Sequence, residues 1–584
     1  MTPVRFLDRT ARGLAIAGGI CALLATSQAR ADYPVMSHRY LADPGSLVYD
    51  GRIYLYNSND DDNTGDGYTM HSIVCVSTSD LKNWTDHGVV FQVPADASWA
   101  HDSWAPQPIT RDGKIWLYFG NNANGVGVAS SNTPTGEFKD AKGSALVDSA
   151  TPGAPGSGSW LFDPGALIDD DGQAYLSFGG NGENYARIIK LGSDLASVSG
   201  SAAALAPTGF FEASFLFKRK STYYFAYSSD SSHGLRIDYL MSSSPQSGYV
   251  YAGVIAGQPP VNNNNNHASE FVFNGQWYHA YHNRSVSTAA GISTTYKRNL
   301  AIEVLNFNDD GTIKQVTYTT DGVPQVGTLN PYARVEAETF NAQSGIETEP
   351  CSAGGMDLTQ IGNGDWVKLR GVDFGTAGAK TFEASVASTA AGGSIELHLD
   401  SPTGALIGTC AVPSSGGAQS WLKTTCDVSG AAGVKDLVLK FAGGSFNVDY
   451  WQFTGGDGAS GGMGGAGSAG AAGNGGMLGS GGAASAGSAG LSGGGVTSAG
   501  ATSAGATSGG SAAIAGAASA SGGSVGVAGG TPNTSGAASV VGVAAPASTD
   551  SGCSCTISAR DRGVRAFGIG VALVAALGMR RRRR

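Results

Sequence analysis

Residues 41–56 read LADPGSLVYDGRIYLY, and this stretch decides the fold. Two runs of apolar and aromatic residues flank the pair Asp50-Gly51, which suits a two-residue hairpin turn because both central residues need a positive φ angle. Such flanking runs are typical of β-strands. The stretch therefore predicts a β-hairpin, with one carboxylate, Asp43, seven residues before the turn.

The same hairpin pattern recurs four more times along the chain. Comparable turns lie at Asp112-Gly113, Asp171-Gly172, Lys220-Ser221 and Asn274-Gly275, roughly 50 to 60 residues apart. Hairpins repeated at a regular spacing are typical of radial or stacked arrays. Five β units of this size predict an all-β fold that begins with a five-bladed β-propeller, whose four-stranded blades surround an axial channel.

Side chains of chemical interest precede these turns by seven or eight residues: Asp43, Trp104, Asp163, Glu212 and His267. Equivalent positions on the blades of a propeller converge at its axis. Three carboxylates, a tryptophan and a histidine are therefore expected in one pocket. A single aspartate at the start of a strand often only caps or turns the chain, but three acids at matching offsets favour an active site.

Two carboxylates that face each other across a pocket can hydrolyse an acetal. One protonates the leaving oxygen, and the other activates water or attacks the sugar. The acid must keep its proton near neutral pH, so burial or a neighbouring negative charge must raise its pKa. Glu212 has the most apolar sequence neighbours and is expected to be the acid. Asp43 is then expected to be the base, and Asp163 to orient Glu212 and raise its pKa.

Several motifs over roughly residues 34–325 resemble glycoside hydrolase family 43: Ala42-Asp-Pro-Gly-Ser46, Trp104-Ala-Pro106, Trp160-Leu-Phe-Asp-Pro164, Glu212 and His267. The resemblance implies a five-bladed propeller that inverts anomeric configuration, with the base, the tuning aspartate and the acid at Asp43, Asp163 and Glu212. It also implies a substrate contact at Arg298 and an axial histidine, His267, associated with a bound calcium. Ala268 departs from the second histidine that many members carry. Trp104 is expected in the pocket wall.

A second module, residues 329–454, contains short alternating runs separated by glycine-rich turns, which predict a jelly-roll β-sandwich. Val335-Glu-Ala-Glu338, Gly364-Asp-Trp366 and Asn447-Val-Asp-Tyr-Trp451 resemble carbohydrate-binding module family 6. The resemblance implies a structural calcium, for which oxygen ligands are suitable, and sugar contacts on the same module. The residues concerned are Glu336, Glu338 and Asp449 for calcium, and Trp421 and Asn447 for the sugar. Gln360 stands where many members have a second aromatic ring.

The pairing of these two modules resembles arabinoxylan arabinofuranohydrolases, which remove α-L-arabinofuranosyl branches from xylan. A β-xylosidase, an endo-xylanase, an arabinanase and a non-catalytic surface protein that binds polysaccharide are the alternatives. The formal net charge of −10 disfavours nucleic acid or an anionic membrane surface as the main partner. We expect a monomer that acts on a plant cell-wall polysaccharide such as arabinoxylan or arabinan.

The two ends of the chain predict export. Basic residues, an apolar run and Ala29-Arg-Ala31 indicate a signal peptide. Near the other end, Cys553-Ser-Cys555, an apolar run and five arginines resemble myxobacterial sorting tags, which implies the cell surface or the medium, with transient membrane anchoring by the tail. The predicted organisation is signal peptide 1–31, propeller 32–328, sandwich 329–454, disordered Gly/Ala/Ser linker 455–550, and a tag 551–584 with a short apolar helix.

Two loops and three cysteines carry smaller predictions. The acidic loop Asn59–Asn63 is interpreted as solvated, with a cation site as the alternative, and the asparagine run 262–266 as a flexible surface loop. Cys75 lies in an apolar run and is expected to be a buried thiol. Cys410 and Cys426 lie on neighbouring predicted strands and can form a disulfide, although spacing alone does not decide it.

Overall fold

The computed structural model describes residues 34–455, apart from Asp66 and Asn263. This part of the chain is all-β, with one short α-helix, α1 (Ser285–Ala289), and three 3₁₀ turns at Asp60–Asp62, Glu183–Tyr185 and Ser231–His233. None of its helices has the length and apolar character that a membrane span requires. The predicted signal peptide, the C-terminal tag with its apolar helix, and all but the first residue of the predicted linker lie outside the described residues.

Five antiparallel sheets, each with four consecutive strands, make up the first part of the chain. Sheet 1 contains β1 (Leu41–Tyr49), β2 (Arg52–Asn59), β3 (Ser72–Thr78) and β4 (Trp84–Gln92). Sheet 2 contains β5 (Trp104–Arg111), β6 (Lys114–Gly120), β7 (Val126–Ser131) and β8 (Lys139–Asp140). Sheet 3 contains β9 (Gly165–Ile168), β10 (Ala174–Phe178), β11 (Arg187–Leu191) and β12 (Val198–Ala204). Sheet 4 contains β13 (Phe210–Arg219), β14 (Thr222–Ser229), β15 (Ile237–Ser242) and β16 (Val250–Ala256). Sheet 5 contains β17 (Ala268–Phe273), β18 (Gln276–Asn283), β19 (Asn299–Phe307) and β20 (Ile313–Lys314).

Each predicted hairpin joins the first two strands of one sheet. In four of the five, two residues separate the strands, and the first of the two has the left-handed backbone that such turns require: Asp50 (φ 47°), Asp112 (φ 54°), Lys220 (φ 54°) and Asn274 (φ 48°). The third connection is longer than predicted, because five residues, 169–173, separate β9 from β10. Asp169 closes this loop, since its N–H donates to the Gln173 carbonyl.

The first strands of the five sheets form a closed ring of contacts. β1 contacts β5, β5 contacts β9, β9 contacts β13, β13 contacts β17, and β17 returns to β1. The glycine of each Asp-Pro-Gly motif lies where neighbouring first strands approach closely. A Cβ atom on Gly45 would lie 1.8 Å from the Pro106 carbonyl oxygen, and one on Gly165 would lie 2.6 Å from the Ser214 carbonyl oxygen. Only glycine fits at these two positions.

Two strand pairings at the edges of the sheets differ from what the sequence predicts. The apolar run at residues 300–307 predicts a strand that closes the last of the five units with the N-terminal strand. This prediction is wrong, because the turn after Phe307 reverses the chain and β19 pairs with β18 and β20. Sheet 1 gains a fifth strand from the second module, β22 (Thr339–Phe340), which pairs with β4 through Thr339–Thr85 and Phe340–Trp84.

The second module is a sandwich of two antiparallel sheets, with the strand orders β24-β25-β32-β27-β30 and β23-β26-β31-β28-β29. A further strand, β21, pairs with β32. The strands are β21 (Val335–Glu336), β23 (Ala342–Ser344), β24 (Glu347–Pro350), β25 (Met356–Thr359), β26 (Trp366–Asp373), β27 (Ala379–Ser388), β28 (Gly393–Leu399), β29 (Leu406–Val412), β30 (Leu422–Asp427), β31 (Val434–Ala442) and β32 (Phe446–Gly455).

Cysteine pairing and burial agree with the sequence. Cys410 and Cys426 form a disulfide that joins β29 to β30, and therefore one sheet of the sandwich to the other. Cys75 is a fully buried thiol in β3.

The sandwich is not separate from the preceding sheets, because one buried apolar cluster includes Trp84 of sheet 1, Phe271 of sheet 5 and Phe340 of the second module.

Candidate active site

A repeated backbone distortion directs side chains towards the ring of first strands. Where the chain enters four of these strands, a residue other than glycine has a positive φ angle: Asp43 (52°), Ala105 (46°), Asp163 (50°) and Ala213 (59°). The strand register also shifts there in β1, β5 and β13. Such bulges redirect a side chain, and strained backbone of this kind is concentrated at functional sites. The distorted residue is the predicted one at Asp43 and Asp163, and the residue after the predicted one at Trp104 and Glu212.

Asp43 is held as an ionised carboxylate. It is 5% exposed, and its Oδ1 accepts a hydrogen bond from Nη1 of Arg298 at 2.7 Å. The Asp43 backbone N–H donates to Nδ1 of His282 at 3.2 Å, while Nε2 of that ring faces the Asn265 carbonyl oxygen at 3.3 Å. Burial alone would raise the pKa of Asp43, but the Arg298 charge and the neighbouring histidines outweigh it and hold the pKa below its usual range. Asp43 can therefore accept a proton.

Arg298 is fixed by a second carboxylate that sequence reasoning did not select. Asp60 accepts three hydrogen bonds of 2.8 Å from Arg298, from its backbone N–H, its Nε and its Nη2. Both side chains are buried, and the Tyr68 ring lies 4.8 Å from the guanidinium carbon. The interpretation of the acidic loop as solvated is therefore wrong for Asp60. Arg298 orients Asp43 here, and its predicted contact with substrate stays a prediction.

Asp163 and Glu212 share the same buried site and keep their protons more readily than Asp43. Asp163 Oδ2 accepts the backbone N–H of Ala213, the residue after Glu212, at 2.8 Å. Burial, followed by the Glu212 and Asp43 charges, raises the pKa of Asp163 well above its usual range. Burial, followed by the Asp43 charge, raises the pKa of Glu212 to about 8. The raised pKa favours the protonated form of Glu212, which is the form that the predicted role of general acid requires.

His267 lies between two of these carboxylates. Its Nδ1 is 3.8 Å from Asp43 Oδ1 and 3.9 Å from Asp163 Oδ2. Burial lowers the pKa of His267 to about 4, so the ring is neutral at neutral pH. Within residues 34–455 as described, no three histidine, cysteine, aspartate or glutamate side chains are arranged to hold a metal ion. The predicted calcium at His267 stays a prediction.

Trp104 and the asparagine run complete the site. The Trp104 ring lies 6.4 Å from the Tyr68 ring, and its buried Nε1 has no hydrogen-bond partner among the described residues. Its contact with substrate stays a prediction. The interpretation of residues 262–266 as a flexible surface loop is wrong for two of them, because Asn266 is fully buried and Asn265 Oδ1 accepts hydrogen bonds from the Tyr68 hydroxyl at 3.3 Å and from Arg284 Nη2 at 3.1 Å. No local sequence signal separates such asparagines from those of a surface loop.

The predicted sugar-contacting residues of the sandwich lie on one connected polar patch. Trp421 Nε1 donates to Ser352 Oγ at 3.0 Å, and the Ser352 backbone N–H donates to Gln419 Oε1 at 2.8 Å. Gln419 Nε2 donates to Asp357 Oδ2 at 2.7 Å, and Asn447 Nδ2 donates to Asp357 Oδ1 at 2.9 Å. The structure thus connects Trp421 and Asn447 through this network, and their contacts with a sugar stay a prediction.

The three predicted calcium ligands of the sandwich have the chemistry that calcium prefers. Glu338 is 2% exposed, and its Oε2 has no hydrogen-bond partner among the described residues. Burial raises the pKa of Glu338 well above its usual range. Arg334 Nη2 lies 2.8 Å from Glu336 Oε2 and 3.2 Å from Asp449 Oδ1. As they stand, these three side chains are not arranged to hold a metal ion, and the predicted calcium stays a prediction.

Comparison with known proteins agrees with both modules. A family model for glycosyl hydrolases family 43 matches residues 31–313, and one for carbohydrate binding module (family 6) matches residues 336–455. An arabinoxylan arabinofuranohydrolase of Paenibacillus polymyxa is 39% identical over 479 residues, which cover 73% of this chain and 75% of the relative. One of Bacillus subtilis is 39% identical over 475 residues, which cover 72% of this chain and 92% of the relative.

Solved structures give the same result. The crystal structure of a glycoside hydrolase family 43 arabinoxylan arabinofuranohydrolase from Bacillus subtilis, in complex with cellotetraose, is 38% identical in sequence and superposes with a TM-score of 0.69. The match covers 73% of this chain and 98% of that one. The similarity therefore extends through both modules and over most of the length of these relatives. The chain belongs to glycosyl hydrolases family 43.

Proposed function

We propose that this protein is an inverting glycoside hydrolase that removes α-L-arabinofuranosyl side chains from arabinoxylan. The observation that carries the proposal is the contrast between two buried carboxyl groups: Arg298 bonds Asp43 at 2.7 Å, which favours its ionised form, whereas burial and the Asp43 charge raise the pKa of Glu212 and favour its protonated form. Inverting glycosidases need this pairing of a base and an acid. The names of the relatives that match through both modules supply the substrate class.

The reaction follows from the positions of these groups. Asp43 accepts a proton from a water molecule while the water oxygen forms a bond to the anomeric carbon of the arabinosyl unit. The bond from that carbon to the xylosyl oxygen breaks, and Glu212 gives its proton to the departing oxygen. A single displacement inverts the anomeric centre. Asp163 accepts the backbone N–H of Ala213, the residue after Glu212, and so helps to orient the acid.

We extend the proposal to the fold and to the location of the enzyme. We infer that the five sheets are the blades of a propeller, which the closed ring of first-strand contacts supports. The three acids would then meet at its axis.

Export, with display at the cell surface or release to the medium, is proposed on the sequences of residues 1–31 and 551–584 alone.

Loss of the acid is the direct test of the proposed function. Glu212→Ala should lower kcat/KM for arabinose release from wheat arabinoxylan by about 10²- to 10⁴-fold, because the xylosyl oxygen leaves poorly without a proton. The loss should be much smaller on 4-nitrophenyl α-L-arabinofuranoside, whose leaving group needs no proton. Sugar release and nitrophenol absorbance measure the two rates, and Glu137→Ala, at an exposed loop position, is the matched control.

Other outcomes of this test would point elsewhere. Release of xylose instead of arabinose would indicate a β-xylosidase. Release from linear arabinan but not from arabinoxylan would indicate an arabinanase. Equal and negligible release by wild type and Glu212→Ala from arabinoxylan, arabinan, xylan and the aryl glycosides would favour a protein that only binds polysaccharide.

We also propose that calcium binds Glu336, Glu338 and Asp449 and stabilises the sandwich. The ion would join β21 and β32 and neutralise three neighbouring carboxylates. Excess EDTA should then lower the Tm, and added calcium should restore it, since a ligand at 100 times its Kd adds about 2.7 kcal/mol of stability. Asp449→Asn should remove most of this EDTA sensitivity. An unchanged Tm, together with no calcium binding by calorimetry, would contradict the site.

A further inference from the structure

His282 accepts the backbone N–H of the predicted base, and the neighbouring sheet has an equivalent contact. Ser58 lies in β2, the second strand of sheet 1, and its Oγ accepts the N–H of the strained Ala105 of sheet 2 at 2.9 Å. His282 lies in β18, the second strand of sheet 5, and its Nδ1 accepts the N–H of the strained Asp43 of sheet 1 at 3.2 Å. Strained backbone of this kind persists only where the surrounding structure holds it. Each buried acceptor therefore supports a left-handed residue in the next sheet of the ring.

The two contacts of the His282 ring show which of its nitrogens carries the proton. Nε2 faces the carbonyl oxygen of Asn265 at 3.3 Å, and a carbonyl oxygen can only accept, so Nε2 must carry a hydrogen. Nδ1 receives the N–H of Asp43 and therefore presents a lone pair. Asp43 Oδ1 also lies 3.2 Å from Nδ1, but a hydrogen bond to it would need a second proton on the ring. Burial lowers the pKa of His282 to about 4, which agrees with a neutral ring.

We propose that His282 is a positioning residue for the general base: as the neutral tautomer with its proton on Nε2, it holds the strained backbone of Asp43 and thereby directs the carboxylate towards the attacking water. The inference rests on the proposed function of Asp43 as the base. A base must lie within hydrogen-bond reach of the proton it takes. A displacement of about 1 Å at a reacting group can cost about 10²-fold in rate.

The other groups next to Asp43 do not supply this contact. Arg298 Nη1 bonds Asp43 Oδ1 at 2.7 Å and therefore orients the carboxylate from its far end. His267 Nδ1 lies 3.8 Å from the same oxygen, which is beyond hydrogen-bond distance. Among the described residues, His282 is the acceptor for the Asp43 N–H. Its second contact, with Asn265, connects the base to the loop of residues 262–266.

Two substitutions that each replace one half of the imidazole ring test the proposal. His282→Asn places an amide group near the position of Nδ1, so an acceptor for the Asp43 N–H can remain. His282→Gln places its amide group near the position of Nε2, so the contact with Asn265 can remain while the acceptor is lost. We expect kcat/KM of His282→Gln to fall by about 10²-fold, and that of His282→Asn to stay within about tenfold of wild type. The loss should be equal on arabinoxylan and on 4-nitrophenyl α-L-arabinofuranoside, because the base serves both substrates.

His279→Gln is the matched control for these variants. His279 is another fully buried histidine of β18, and its Nδ1 lies 3.0 Å from Glu270 Oε1. We expect this control to keep the kcat/KM of wild type on both substrates, even if its Tm falls. A loss of activity in His282→Gln that the control does not share is then due to the contact with Asp43.

Nitrogen NMR of the full chain, labelled with ¹⁵N at histidine, tests the tautomer without reference to activity. The His282 signals, identified by their absence from His282→Asn, should show a proton on Nε2 and none on Nδ1 at neutral pH. This measurement needs only wild type to be folded, so it decides the tautomer even if neither variant folds. A proton on Nδ1 would refute the proposal.

The kinetic results can refute the proposal independently. Wild-type activity in His282→Gln, an equally large loss in a folded His282→Asn, or a loss confined to arabinoxylan would each show that His282 does not position the base. An inactive wild type would instead refute the proposed function of the protein. The tautomer of His282 would still be measured in that case, which keeps the two failures distinguishable.

Discussion

Asp43→Asn is expected to lower kcat/KM by about 10³- to 10⁴-fold, and by the same factor on arabinoxylan and on 4-nitrophenyl α-L-arabinofuranoside. Asparagine has the shape of aspartate but cannot take a proton from the attacking water. A better leaving group cannot replace that step, so the loss should not depend on the aglycone. This distinguishes the base from the acid, whose loss a good leaving group partly compensates.

The substitution should leave the fold intact, which makes the kinetic result easy to interpret. The backbone N–H of residue 43 can still donate to His282, and Arg298 keeps its three hydrogen bonds to Asp60. Asp112→Asn is the matched control, because Asp112 also has a positive φ angle but lies in an exposed turn. Residual activity within tenfold of wild type, with an unchanged Tm, would show that Asp43 is not the base.

Local sequence signals were sufficient for the parts of the site that depend on local structure. Asp-Gly and Asn-Gly pairs need left-handed backbone, so the hairpins could be predicted, and with them the offsets of Asp43, Asp163 and Glu212. The third turn is longer because Asp169 closes a five-residue loop, a choice that a single Asp-Gly pair does not reveal. Neighbouring predicted strands made a Cys410–Cys426 disulfide possible, but spacing did not decide it, and the structure shows the bond.

The remainder of the site depends on contacts between distant parts of the chain. Asp60 and Arg298 are separated by 238 residues, and nothing in an acidic loop indicates which of its carboxylates will be buried. Asn265 lies in a run of identical residues, where composition favours a surface loop. The pairing of β22 with β4 likewise joins two modules that the sequence alone presents as separate.

Removal of Asp60 should cost more stability than removal of any other single side chain at the site. Asp60→Ala leaves the backbone N–H and Nε of Arg298 without acceptors and Nη2 with only the Met70 sulfur at 3.5 Å, in a place where Arg298 is 1% exposed and Asp60 fully buried. Loss of one partner of such a pair typically costs about 3–5 kcal/mol. Urea unfolding should show this decrease in the free energy of unfolding, with kcat/KM falling as well because Arg298 no longer holds Asp43 in place.

A double variant separates stability from catalysis at this pair. Asp60→Leu combined with Arg298→Met replaces a buried ion pair by apolar side chains, a change that is often neutral or stabilising. We expect it to recover most of the stability lost in Asp60→Ala, while activity stays at least about 100-fold below wild type. Without Arg298, the largest influence that lowers the pKa of Asp43 is gone while burial still raises it, so we expect the base to be protonated more readily. If the double variant regained activity along with stability, the ion pair would be only structural; if it regained neither, the cost would lie in packing and not in the unpaired charge.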